Sequence, residues 1–128
     1  MRSPNSLRIG ALLGSLGVLL GAFGAHGLKG HLSETDLAIW DTAVRYLLWH
    51  ALALCLCATL ARSGLATGTA SIAFVAGCAL FSGSLLLLVL TGQRWLGAVT
   101  PFGGACLIGG WVALALTRRP AGAAAAGP

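Results

Sequence analysis

The chain is 128 residues long, 57% of it apolar and 9% charged, with a mean hydropathy of +0.88. A soluble domain carries about 25% charged residues, so a water-facing globular surface is excluded, as is a disordered chain, which needs low hydrophobicity. The formal net charge of +5 sets Arg2, Arg8, Lys29, Arg45, Arg62, Arg94, Arg118 and Arg119 against Glu34, Asp36 and Asp41, the basic residues standing singly or in pairs at the ends of apolar runs. A nucleic-acid binder gathers such residues into a patch or stripe. Here they read as topology signals, and no nucleic-acid partner is expected.

At about 20 residues per crossing, the length accommodates four spans and not six. The first apolar run, Ile9 to Ala25, predicts a span over about residues 9–26. Within it Gly10, Gly14, Gly17, Gly21 and Gly24 recur every third or fourth residue. At about 100° per residue they form one stripe roughly 80° wide. Leu12, Leu13, Leu16, Leu19, Leu20 and Phe23 take the opposite side. In lipid, close helix packing relies on small residues, so the stripe predicts a helix-packing surface against another helix or another copy. A cleaved signal peptide is the rival reading of residues 1–25, because Arg2 and Arg8 precede an apolar stretch. The run is longer than the usual signal core of about 7–15 residues.

A polar segment, Gly27-Leu-Lys-Gly-His31, follows. Ser33 and Asp36 match a capping box, which predicts an early start for the second helix, with Trp40 as an interfacial anchor and the span itself over about 43–61. Arg62-Ser-Gly64 ends that helix. The third span is predicted over about 70–91, closed by a tight turn at Thr91-Gly-Gln-Arg94 with Trp95 at the interface. The fourth, over about 97–117, starts at Leu96 or at Thr100-Pro101, which reads as an N-cap followed by proline at the first helical position. Ala73 and Gly77, Ala79 and Gly83, and Ala105 and Gly109 stand at small-xxx-small spacing. Residues 118–128 have nothing to bury and read as a disordered tail.

The fold class expected is therefore all-α, an integral membrane four-helix bundle over residues 1–117. With four spans both termini share a side. Arg2, Arg8, Arg62, Arg118 and Arg119 lie together there, with Lys29 and Arg94 opposite. The positive-inside rule makes both termini cytoplasmic in a multi-pass protein of the bacterial inner membrane.

His50 leads the chemistry candidates, because a polar group inside the bilayer is expensive without a partner. Tyr46 lies one turn before it. Counting from each helix middle puts Gly21, His50, Ser82 to Ser84 and Gly104 in one layer, where a serine would bond the imidazole. That makes Tyr46, His50, Ser82 and Ser84 the candidate intramembrane polar site. It serves either as a packing element or as a ligand or proton site. Asp41 and Arg45 stand at ion-pairing spacing. His26 lies roughly 9 Å from His50 in depth, which argues against a shared haem. Cys55, Cys57, Cys78 and Cys106 show no C-x-x-C spacing and read as apolar fillers. No catalytic set, cofactor site or metal-ligand spacing stands out, so a non-enzyme is expected.

The segments Gly21-Ala-Phe-Gly-Ala-His-Gly-Leu28, Trp40-Asp-Thr-Ala-Val44 with Tyr46, and His50-Ala-Leu-Ala-Leu54 continue into Phe81-Ser-Gly-Ser-Leu85, Leu90-Thr-Gly92, Thr100-Pro-Phe-Gly-Gly104 and Gly110-Trp111. In this order they resemble the YgdD/YwdK-type small membrane proteins, catalogued as domain of unknown function 423, with transmembrane protein 256 of animals a relative. The match runs over roughly residues 9–117, about the length of four spans. The chain departs from the pattern at Leu47, where the family has glutamine or histidine, and at Leu86, where it has tyrosine. The departures imply a thinner polar network around His50. The resemblance implies a four-helix integral membrane protein and no established activity.

Two functions are compatible with these residues. One is an accessory or scaffold protein that associates with itself or a membrane complex through glycine-rich helix faces, with membrane lipid around it. The other is a small-ligand or proton-coupled carrier with His50 in a polar cavity.

Overall fold

The computed structural model describes residues 3–119. The tail expected at 118–128 falls almost wholly outside them. Four helices, α1 (Ser3–His26), α2 (Glu34–Arg62), α3 (Gly68–Thr91) and α4 (Thr100–Ala115), make up the fold, with a 3-10 turn at Arg94–Ala98 leading into α4. All four membrane crossings are long and apolar enough to span a bilayer, the fourth by joining the 3-10 turn to α4. The protein is an all-α, four-helix membrane protein.

The second helix is the longest, at 29 residues, or about 44 Å at 1.5 Å per residue. A bilayer core is only about 30 Å thick. The helix therefore exceeds the core by about 14 Å, and its outermost turns stand at headgroup level. The early start has a local cause: the Ser33 hydroxyl accepts from the Asp36 backbone N–H at 3.0 Å and donates to the Asp36 carboxylate at 2.8 Å. Asp41 and Arg45 pair on the exposed side of the helix. Trp40, expected as an interfacial anchor, is buried instead. Its indole N–H donates to the Leu20 carbonyl at 2.9 Å, because the bare backbone at Gly24 leaves a slot for the ring.

The glycine stripe of α1 faces α2 of the same chain. Gly24 meets Trp40, Gly21 meets Val44, Gly17 meets Leu48, Gly14 meets Ala51, and Gly10 meets the Ala51 carbonyl and Cys55. As residue numbers fall along α1 they rise along α2, which is an antiparallel register. The α3–α4 pair is built the same way. Gly77 receives Leu107, Gly103 lies on the backbone of Leu80 and Phe81, and Gly110 receives the Phe74 ring. The pairs Ala79–Gly83 and Ala105–Gly109 do not make these contacts: a side chain added at Gly83 or Gly109 would meet nothing within 4 Å.

Between these two pairs, α2 and α3 pack on each other around Leu47, Leu54, Cys57, Phe74 and Cys78. Hydroxyl groups pin the ends. Ser6 donates to Ser71 at 3.2 Å, Thr67 to the Cys57 carbonyl at 2.9 Å, and Thr117 to the Ala66 carbonyl at 3.0 Å. At the other end Gly92, in the left-handed region at φ 70°, ends α3 with its N–H on the Leu88 carbonyl. Thr100 does not cap α4 as its spacing predicted. Val99 holds the cap position, and the Thr100 hydroxyl instead meets Ser84 at 2.8 Å.

Candidate functional site

His50 lies near the middle of α2, 4% exposed. Helical geometry brings the Tyr46 carbonyl, one turn back, to 2.7 Å from its Nδ1. The Trp111 indole N–H of α4 donates to its Nε2 at 3.1 Å. An indole N–H can only donate, so Nε2 is the acceptor and Nδ1 carries the proton. The ring is therefore the neutral Nδ1–H tautomer, with both nitrogens engaged inside the protein.

Aromatic rings close the rest of the site. Phe74 lies 5.5 Å from the imidazole and 5.2 Å from Trp111 in an edge-on arrangement, and Tyr46 stacks on Phe81 at 4.5 Å. Offset and edge-on contacts of this kind satisfy the ring quadrupoles. The site draws on three helices. Gly110 opens the gap on α4 into which Phe74 fits, and that fit brings the neighbouring Trp111 to the imidazole.

Tyr46, expected from its place one turn before His50, is at the site; the serines grouped with His50 by depth counting are not. Ser82 donates to the Ala43 carbonyl at 2.8 Å, two turns along α2 from His50. Ser84 bonds the Phe81 carbonyl and Thr100. Gly21 packs on Val44, and Gly104 lies beside the Phe81 ring rather than the imidazole. The error has a physical origin. After Arg62 the chain runs back, so that Thr67 is already level with Cys57 before α3 begins. Counting from helix middles misses this offset. Phe74 carries no sequence signal beyond its apolar helix face, whereas Trp111 is the sole tryptophan of α4 and stands in the Gly110-Trp111 pair of the family pattern.

Leu47 and Leu86 sit elsewhere. Both line an apolar groove of 230 Å³ between α1, α2 and α3, with Ile9, Leu13 and Val75. The departures from the family pattern therefore change that groove and not the wall around His50. The four cysteines are unpaired thiols.

The sequence profile described as "Protein of unknown function (DUF423)" matches residues 20–104. This stretch holds the last turns of α1 with Gly21 and Gly24, the whole of α2 and α3, and the start of α4. The chain belongs to the DUF423 family. Among relatives, the UPF0382 membrane protein YwdK of Bacillus subtilis (strain 168) is 46% identical over 107 residues, 81% of this chain and 87% of YwdK. A UPF0382 membrane protein of Staphylococcus haemolyticus (strain JCSC1435) is 41% identical over 116 residues, 85% of this chain and 90% of the relative. No solved structure matches. This DUF423 protein is a multi-pass membrane protein of the bacterial inner membrane, in a family whose function is not defined.

Proposed function

We propose that the protein is a non-catalytic accessory or scaffold component of the membrane, acting through its surfaces and not through an internal reaction centre. The observation that carries this reading is the state of His50. Its two ring nitrogens are spent on the Tyr46 carbonyl and the Trp111 indole, which leaves no lone pair or proton for a ligand. A carrier would need that imidazole facing a water-filled path. Here it is 4% exposed and walled by aromatic rings.

The surface for association is not the α1 glycine stripe, which α2 occupies. Small residues favour helix contact in lipid because they let backbones approach. On α4 the exposed Ala105 and Gly109 are flanked by Phe102, Ile108 and Val112, each more than half exposed. This face is our candidate for contact with a second copy or a membrane complex. The test places a photo-reactive side chain at Gly109 in the native membrane, with Leu12 on α1 as the control. The reading expects a protein adduct from position 109 and none from position 12. Lipid adducts alone at 109 would remove the scaffold reading, and an adduct of twice the protein's mass would make the partner a second copy.

A further inference from the structure

Two cavities open between the first turns of α2 and the last turns of α3. The larger, of 450 Å³, is bounded by Asp36, Arg94 and Val89, and the smaller, of 240 Å³, by Thr42 and Leu85. Thr35 and Ile39 line both, so the two adjoin, the smaller as a shallow open furrow below the larger. From Thr35 to Thr42 this groove follows α2 for about 10 Å. Its mouth lies at the helix ends, at headgroup level, and its lower part runs beside apolar side chains into the membrane.

The mouth holds one charge of each sign, Asp36 and Arg94, and among the described residues they form no ion pair. Among the described residues the ion pair is Arg45 with Asp41. Asp36, among the described residues, bonds only within its capping box, with Ser33. Arg94 faces the same cavity and is exposed. A cation and an anion turned toward one cleft, without touching, fit a molecule that carries both signs. The larger chamber alone falls in the range of about 300–1,000 Å³ typical of small-molecule sites.

We infer that this groove binds a zwitterionic phospholipid with a primary ammonium headgroup, of the phosphatidylethanolamine class. The Arg94 guanidinium takes the phosphate, a geometry it meets with parallel N–H donors. The Asp36 carboxylate takes the ammonium, whose N–H groups can hydrogen-bond where a trimethylammonium cannot. One acyl chain runs down past Ile39 toward Leu85. The apolar lane is what assigns the ligand to a lipid: a soluble zwitterion would fill the mouth and leave the lane bare. The proposal is independent of the scaffold reading, which concerns α4.

The test is native mass spectrometry of the full-length protein in mild detergent, titrated with phosphatidylethanolamine and phosphatidylglycerol of identical chains. The ethanolamine lipid should be retained in preference by about tenfold, the scale of one charge-assisted hydrogen bond. Arg94→Gln should lower its retention by about the same factor. Ile39→Trp, which fills the lane without touching either charge, should abolish retention while the helical circular dichroism stays unchanged. Asp36→Asn should erase the preference over phosphatidylglycerol. Because Asp36 also serves the cap, Arg94→Gln and Ile39→Trp decide the outcome if that variant does not fold. Equal retention of the two lipids, unchanged retention in Arg94→Gln, or full displacement by soluble phosphoethanolamine would overturn the inference.

Discussion

Gly10 and Gly14 lie one turn apart on the same face of α1, and alanine should act on them with opposite sign. A β-carbon at Gly10 would stand 2.8 Å from the Ala51 carbonyl oxygen and 2.9 Å from the Cys55 sulfur. Ordinary contact needs about half an ångström more. The obstacle at Ala51 is backbone, so α1 must move away from α2 as a body. Overpacking of this kind costs about 1–3 kcal/mol. Against it stands a gain of about 0.5–1 kcal/mol, because alanine loses less backbone freedom than glycine on entering a helix. The net expectation for Gly10→Ala is a loss of about 1–2 kcal/mol. At Gly14 the nearest atom to an added β-carbon is the Ala51 methyl, at 3.9 Å. That is ordinary contact, so Gly14→Ala keeps the helix gain and adds contact area, for a stabilisation of up to about 1 kcal/mol.

The assay is unfolding of the purified protein by sodium dodecyl sulfate in mixed micelles, followed by circular dichroism and tryptophan fluorescence. Wild type and both single variants are compared at one micelle composition. If Gly10→Ala unfolds with the wild type, or both variants shift in the same direction by the same amount, the α1–α2 approach described above is wrong.

Trp111→Phe strands the Nε2 acceptor of His50 and should destabilise by about 1–3 kcal/mol, whereas adding His50→Leu to it should recover much of that loss in the same unfolding assay. Gly103→Ala drives a β-carbon into the backbone at Leu80, with 2.7 Å to its carbonyl carbon, and should cost at least as much as Gly10→Ala, about 1–3 kcal/mol, read as a lower detergent midpoint. Reporter fusions at residue 1 and residue 119 should both report the cytoplasm, since Arg8, Arg62, Arg118 and Arg119 share one end and basic residues favour that side; an external signal from either one sinks this topology.

The four crossings were legible because their signals are local. Hydropathy runs of bilayer length, the Ser33–Asp36 box, the Gly92 stop and the glycine period each depend on neighbours in sequence. That α1 carries a packing stripe was equally legible. Which helix fills it was not, since a bare stripe fits a neighbour or a second copy alike. Depth across helices was the weakest reading. Tyr46 follows from its place one turn before His50, but Phe74 and Trp111 depend on how the Arg62–Thr67 segment folds back. That offset is set by the Thr67 bond to Cys57, between residues ten apart, and by no periodicity. The fate of Trp40 went unread for a similar reason: an interfacial tryptophan and one seated on a glycine have the same sequence context, and Gly24 decides between them from another helix.

In hydrocarbon a polar group without a partner costs several kcal/mol, so where this chain places its polar side chains indicates what they do. His50, Ser71, Ser82, Ser84 and Thr100 each bond to another part of the protein, and Trp40 and Trp111 turn their N–H groups inward. Among the described residues no buried side-chain nitrogen or oxygen lacks a hydrogen-bond partner. These groups fix register between helices that would otherwise slide along apolar faces. With register so fixed, the two surfaces proposed for recognition are the outward face of α4 and the charged groove between α2 and α3. Substitutions that abolish a cellular role while leaving the unfolding midpoint unchanged should therefore map to Ala105, Gly109, Ile39 or Arg94. Loss of function at His50 should instead track its loss of stability, and a stabilising Gly14→Ala in the same chain should restore it. A His50→Leu protein that is as stable as wild type yet inactive would return the function to the interior.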